Sequence, residues 1–239
     1  MAIEIRGLTK TFGRLSVLRG LDLTLAEGRV TAVVGPNAAG KTTLIKSILG
    51  LVRPDQGGGD VVIDGVSVGH SSKYRERIGY MAQAARFPPH LTGREVIGFL
   101  RALRHDPPDV DLSLVGHLGL EPHLDKRIGT LSGGTRQKLN AVVATMFRPA
   151  VLVLDEPTAG LDPRSSAILK DHVIRSTLRG ATVLLTSHIV SELEDLAQDL
   201  VFLVEGAIEY HGTVEQLKAT AGEAKLERVL ARMLEGRTG

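Results

Sequence analysis

The chain of 239 residues contains no cysteine, which removes disulfides, thiolate metal sites and cysteine nucleophiles together. The absence fits a reducing compartment. No apolar run approaches the ~18 to 20 residues that a membrane-spanning helix needs. The start, Met1-Ala-Ile-Glu-Ile-Arg6, has neither the basic opening nor the apolar middle of a secretion signal. The expectation is a soluble protein that reaches a membrane only through a partner. Charge of one sign is also scarce: 29 Lys and Arg against 27 Asp and Glu leave a net +2. No dense basic block stands out, and Lys73, Arg75 and Arg77 read as a solvated face, so no direct nucleic-acid contact is expected. Hydrophobic residues make up 43% of the chain, enough to bury a sizeable core and to set disorder aside.

Against these absences stands one phosphate-binding signal. Gly35-Pro-Asn-Ala-Ala-Gly-Lys-Thr-Thr43 fits the pattern G-x-x-x-x-G-K-[ST]. It follows the apolar run Val30-Thr-Ala-Val-Val34 and precedes a helix pattern, the context that the motif needs. That helix is expected over Thr42 to Leu49, with Leu44, Ile45, Ile48 and Leu49 on one face and Gly50 as its stop. Backbone N–H groups of such a loop hold phosphate oxygens, and the helix dipole favours the same negative charge. Lys41 adds a cation for the terminal phosphates, and Thr42 a hydroxyl where Mg²⁺ bridges two of them. Gly35, Pro36, Asn37, Ala38, Ala39, Gly40, Lys41, Thr42 and Thr43 are therefore the candidate nucleoside-triphosphate site.

Residues 3 to 34 alternate as strands, with Ile3, Ile5, Val17, Leu21, Leu23 and Leu25 apolar and Gly13, Gly20 and Gly28 between them. Phe12, before a glycine in a chain with three Tyr and five Phe, reads either as strand-end packing or as a ligand contact. Asp64-Gly65 after Val61-Val-Ile63 marks a hairpin, and Ile78 to Met81 a strand that ends at Gln83. From about residue 84 to 149 helical patterns take over. Thr92-Gly-Arg-Glu95 is a capping box, and helices are expected over Leu112 to Leu120 and Arg136 to Phe147. Strand character returns in Val151 to Leu154 and Thr182 to Thr186, continuous apolar runs of the kind buried on both faces. Between them Asp162-Pro163 opens a helix to about Leu178. Leu200 to Val204 and Ala207 to His211 form a last strand pair, and Val214 to Gly239 a charged helical tail expected at the periphery.

Asp155-Glu156 puts two carboxylates at the C-terminal end of a buried strand, the edge of an open α/β sheet where ligands bind. Asp155 can hold Mg²⁺. Glu156 can take a proton from the water that attacks the γ-phosphate, or serve as a second acid that tunes the metal site.

Taken in order, the phosphate loop, Gln83, Leu131-Ser-Gly-Gly134, Asp155-Glu156, Leu161-Asp162 and His188 resemble the nucleotide-binding subunit of ABC transporters over about residues 3 to 215. The Leu-Ser-Gly-Gly run carries the specificity, since P-loop kinases and GTPases lack it. The resemblance implies an α/β fold: a P-loop NTPase (RecA-like) core with an antiparallel β subdomain and an inserted helical subdomain. On that reading residues 1–220 form the ATPase domain, with the core in 1–83 and 150–220 and the helices in about 84–149. Residues 221–239 are then a short charged helical tail.

The resemblance also implies roles. Phe12 stacks on adenine, and Gln83 senses Mg²⁺ and the γ-phosphate while linking the helices to the core. Ser132, Gly133 and Gly134 close on ATP held by another subunit, a task suited to exposed N–H groups and a hydroxyl at a helix start. Asp162 contacts the opposite subunit and can cap its own helix as well, and His188 hydrogen-bonds the γ-phosphate. Lys41, Gln83, Glu156 and His188 are then the catalytic set, with Thr42, Gln83 and Asp155 around the metal. The implied partners are an integral membrane transporter subunit and a second cassette, most simply another copy of this chain. The implied location is the cytoplasmic face of the cell membrane, without insertion.

Two positions depart from the family pattern. Thr135 stands where the signature usually has Gln, and Ala38-Ala39 where Gly or Ser commonly precedes the last glycine of the loop. Backbone groups do the phosphate binding, so the second change leaves function intact. The segment Ala84 to His90 is where such subunits receive the coupling helix of a membrane partner, and Phe87 is either that contact or subdomain core. The compact tail is similar to exporter-type cassettes, and Gly79 to Pro88 to cassettes serving copper-site maturation of nitrous-oxide reductase. An importer cassette, or a soluble ABC ATPase of DNA repair or translation, are the competing readings.

Overall fold

The computed structural model describes residues 3–69, 72–84 and 86–235. Met1, Ala2, Ala85 in the segment after Gln83, and 236–239 of the expected tail lie outside the described residues. Strands β1 (Ile3–Phe12), β2 (Leu15–Leu25) and β3 (Val30–Val34) lead into α1 (Lys41–Ile48). After β4 (Asp60–Ile63), β5 (Val66–Ser67) and β6 (Ile78–Met81) come three helices, α2 (Gly93–Leu103), α3 (Ser113–His117) and α4 (Gly133–Thr145). The chain then alternates through β7 (Val151–Asp155), α5 (Pro163–Leu178), β8 (Thr182–Thr186) and α6 (Val190–Leu196). It closes with β9 (Asp199–Val204), β10 (Ala207–Thr213), α7 (Val214–Ala221) and α8 (Leu226–Glu235).

Two sheets result. A four-stranded antiparallel sheet has the order β2-β1-β4-β5, and a six-stranded sheet the order β10-β9-β3-β8-β7-β6. In the larger one every neighbouring pair is parallel except β9 with β10. Its strands alternate between two cores. Val151 and Val153 pack with α1 and the antiparallel sheet, whereas Leu152 and Leu154 pack with α2, α4 and α5. A strand buried on both faces needs an unbroken apolar run, which is what these segments carry. The short β4–β5 turn takes positive φ at both central residues, Asp64 and Gly65, the geometry that matches the twist of a hairpin.

The local signals translate as physics requires, with instructive exceptions. Thr92 and Glu95 form a complete capping box at α2. The helix expected over Leu112 to Leu120 is only Ser113–His117, because Gly119 turns left-handed at φ 64° and Leu120 N–H returns to the Val115 carbonyl. Helix α4 starts earlier than periodicity indicated, at Gly133, because the Ser132 hydroxyl accepts the Thr135 N–H as an N-cap. The tail is not peripheral. Leu226, Val229 and Leu230 are buried in the larger core, and α8 packs on α6 and α7.

Contacts at two places tie the helical layer to the sheet. Arg104, at the end of α2, donates to the carbonyls of Glu76 and Arg75 and lies 4.2 Å from the Phe147 ring centre. On α5, His172 is only 5% exposed, with Asp111, Arg175, Arg179 and His117 as its charged or titratable neighbours. Burial lowers its pKa from 6.5 to about 4, against the pull of Asp111. Native His172 therefore stays neutral where the unfolded chain would take up a proton, so stability falls as pH drops from 6.5 toward 4. Melting temperatures measured across that window should fall in the wild type and fall less steeply in His172→Gln.

Candidate functional site

The parallel strands β3, β7 and β8 end at the same edge of the sheet, in register: Val33 pairs with Thr186, and Asp155 pairs with Thr186 from the other side. What each strand carries just past its end is thereby gathered. The phosphate loop follows β3, Asp155 ends β7 with Glu156 after it, and His188 lies two residues beyond β8. Gln83 lies two residues beyond β6, which pairs with β7. These groups line one cleft of about 380 Å³, together with Leu15, Val17 and Thr186.

The loop is shaped by close packing. Gly40 has φ 106°, and a Cβ there would stand 2.9 Å from both the Leu18 side chain and the Val17 carbonyl. The β9–β10 turn fixes the loop from outside, as Gly206 N–H donates to the Ala39 carbonyl while its own carbonyl accepts from Arg19 N–H. Helix α1 has no side-chain cap and no acid in its first turn, which leaves its first N–H groups for an anion. Lys41 Nζ donates to the carbonyls of Gly35 (2.5 Å) and Pro36 (2.9 Å) and so spans the loop. Burial pushes the Lys41 ammonium below its usual pKa, while Glu156 and Asp155 pull it back up.

Around the acids the geometry is tight. The Thr186 hydroxyl donates to Asp155 Oδ1 at 2.6 Å. Glu156 has both oxygens engaged: Gln83 Nε2 donates to Oε2 at 2.9 Å, and His188 Nε2 lies 3.1 Å from Oε1. The Glu156 backbone is left-handed, φ 49°, held there by its N–H bond to the Thr186 carbonyl and by Pro157 behind it. Two buried amides on α4 reach the same two loops. Asn140 Nδ2 donates to the carbonyl of Ala82, beside Gln83, and Gln137 Nε2 to that of Pro157.

The cleft gathers Asn37 to Thr43, Gln83, Asp155, Glu156 and His188. It does not include Phe12, Ser132, Gly133, Gly134 or Asp162. Phe12 is half exposed at the end of β1, with Lys10 Nζ 5.3 Å from its ring centre, and its cross-strand neighbour Leu15 lines the cleft in its place. Ser132 and Gly133 are exposed at the start of α4. Asp162 caps α5 through Ser165 and pairs with Lys138 at 3.1 Å, which accounts for its depressed pKa. Sequence reasoning overlooked Leu15, Val17 and Thr186. The one available signal was Thr186, a hydroxyl ending an otherwise apolar strand two residues before His188.

A parallel sheet with the phosphate loop, two acids and a histidine at its C-terminal edge defines an ATP-binding cassette of the P-loop class. The comparisons agree. The family described as ABC transporter matches residues 18–159, more than half of the chain. The chain belongs to the ABC transporter family. It is 38% identical over 239 residues to the daunorubicin resistance ATP-binding protein DrrA3 of Streptomyces coeruleorubidus, covering 96% of this chain and 73% of that protein. To the Nod factor export ATP-binding protein I of Rhizobium meliloti it is 36% identical, covering 86% of this chain and 62% of the relative. A solved ATP-binding subunit of an ABC transporter superposes with a TM-score of 0.91 at 25% identity, covering 98% and 100% of the two chains. A dimeric cassette in a post-hydrolysis state bound to ADP and Pi shares the fold, with a TM-score of 0.78 at 22% identity over 89% and 98%. Neither curated relative named here serves nitrous-oxide reductase, and that finer resemblance gains no support.

The left-handed backbone at Glu156 gives a clean comparison of two variants that both lack the carboxylate. Glu156→Gly should be more stable than Glu156→Ala by about 1 kcal/mol, because only glycine adopts that φ freely. Denaturant melts of the two proteins measure the difference.

Proposed function

We propose that this chain is the ATP-hydrolysing subunit of an exporter-type ABC transporter, working as a pair of cassettes on the cytoplasmic face of a membrane. The observation that carries the enzymatic part is the cleft in which Lys41, Gln83, Asp155, Glu156 and His188 converge behind an uncapped helix start. The phosphates of ATP lie on the N–H groups of Asn37 to Thr43, with Lys41 at the terminal phosphates. Glu156 is the base that orients and deprotonates the attacking water, and Gln83 and His188 hold its two oxygens until a γ-phosphate draws them away.

Oxygen donors from Thr42, Gln83 and Asp155 in one cleft fit a hard divalent cation. Among the described residues no cluster of three or more His, Cys, Asp or Glu competes with it as a metal cage. Mg²⁺ bound there would neutralise phosphate charge. The adenine lies toward Leu15 and Val17, with Phe12 at the rim.

Pairing follows from what the cleft lacks. Ser132, Gly133 and Gly134 stand apart from the ATP site of their own chain, and the Ser132 hydroxyl is already its helix cap. They complete the site of a second copy. The dimeric solved cassette supports this reading, as do curated relatives named for drug resistance and for Nod factor export. No helix among the described residues is long and apolar enough to cross a membrane, so the transport path belongs to a partner. Phe87 is half buried against the core, so the partner meets the exposed Arg86 and Pro88 to His90, with Phe99 and Leu103 as nearby apolar surface on α2.

Lys41→Ala and Glu156→Gln should each lower ATP turnover roughly 100-fold or more while the fold survives. Glu156→Gln with ATP and Mg²⁺ should elute from a sizing column as a dimer; a persistent monomer rejects the pairing. The same variant, tagged and drawn from detergent-solubilised native membranes with ATP and Mg²⁺, should bring down a stoichiometric multi-span membrane protein. Recovery of ribosomal or nucleic-acid partners alone would reject the transport reading.

A further inference from the structure

Behind the exposed contact of His188 with Glu156 lies a buried acid that none of the roles above employs. Glu192, on α6, is 1% exposed. Its Oε2 accepts a hydrogen bond from the Ser187 hydroxyl, and that hydroxyl in turn accepts from the Ile189 N–H at 3.0 Å. Ser187 and Ile189 are the two neighbours of His188. From the other loop the buried Thr158 hydroxyl, two residues beyond Glu156, faces the same carboxyl. One side chain therefore touches both loops whose tips meet at the 3.1 Å contact between His188 and Glu156.

The arrangement matters because the two tips have little else to hold them. The His188 side chain is 55% exposed, so packing around the ring does not set its direction; the backbone on either side must. The Glu192 Oε1 atom makes no full hydrogen bond among the described residues. An ionised carboxylate with a buried oxygen that nothing donates to is costly, so this pocket favours the neutral acid. Burial indeed raises the Glu192 pKa and the Glu156 charge adds to it, against Ser187, Thr158 and Lys170. A neutral acid can donate toward Thr158 while accepting from Ser187, which closes the bracket between the loops.

We propose that Glu192 is a positioning residue for ATP hydrolysis, bracketing the Ser187–His188–Ile189 peptide and the loop after Glu156 so that both side chains meet the γ-phosphate together. It acts through Ser187 and Thr158 and does not touch the nucleotide. The proposal rests on the site reading given above. A neutral glutamine of the same shape offers an acceptor to Ser187 and a donor to Thr158, and so should replace it.

The test is steady-state ATP hydrolysis by the full chain, with kcat counted per nucleotide-binding site so that any misfolded fraction drops out. Glu192→Ala should lower kcat by roughly 10-fold or more with KM for ATP little changed, and Glu192→Gln should restore it to within about 3-fold. In a His188→Ala background the same Glu192→Ala change should cost almost nothing further, because its effect runs through the histidine. Wild-type kcat in Glu192→Ala, a Gln variant as impaired as the Ala one, or a full additional loss in the His188→Ala background would each overturn the proposal. If Glu192→Ala does not fold, Ser187→Ala is read the same way, and an unimpaired kcat there overturns it. Glu156→Gln run alongside keeps the two levels apart. Turnover by that variant at the wild-type rate removes the site reading itself, whereas an inactive Glu156→Gln beside an unaffected Glu192→Ala removes only the bracket.

Discussion

Parallel pairing of β3 with β8 and of β8 with β7 is the constraint on which the site depends. Parallel strands share a direction, so whatever follows each of them emerges on one side of the sheet. The phosphate loop, the acid pair and the switch-loop histidine are separated by more than a hundred residues of chain between the first and the second. They become neighbours only because Val33, Asp155 and Thr186 lie in register. Burial of these strands on both faces makes a slip in register expensive, since it would carry a whole set of Val and Leu side chains out of their cores.

Electrostatics then shape what the edge can bind. Lys41 is held half inside the protein, where its charge costs more and reaches further than in water, with Asp155 and Glu156 as the charges that compensate it. An incoming triphosphate adds negative charge at a helix start and beside that ammonium, and a divalent cation offsets it at the acids. In the nucleotide-free arrangement Glu156 is tied up by Gln83 and His188, and its peptide is kept in a strained left-handed conformation. These ties are reversible hydrogen bonds that a γ-phosphate can compete for. On the proposed reading they couple nucleotide binding to movement of the helical layer, because Asn140 and Gln137 of α4 grip the peptides next to Gln83 and Glu156.

Incompleteness is the other feature of the fold. A signature segment rich in N–H donors sits exposed at the start of α4 and away from the cleft of its own chain. Local chemistry explains why it is stable there, as Ser132 caps α4 and the Gly134 position packs against the Gly160 carbonyl. Asp162 likewise satisfies its helix and Lys138 within one chain. Neither arrangement needs a partner to fold, and both leave surfaces that a second cassette would use.

By itself the sequence determined the elements and much of the chemistry. The phosphate loop, the acid pair after an apolar run, the capping box at Thr92 and the Asp162-Pro163 helix start are local signals, each fixed by residues within a turn or two of one another. Tertiary structure decided what local spacing cannot carry. It turned Leu15 rather than Phe12 into the cleft wall, because the register of β1 with β2 sets which side chain of a hairpin points inward. It drew α8 into the core through Leu226, Val229 and Leu230, although the charged residues between them read as a surface tail. It also placed Thr186 against Asp155 and Glu192 beneath His188. Those contacts join segments whose separation in the chain gives no periodic signal, so only the packing of strand against strand and loop against helix brings them together.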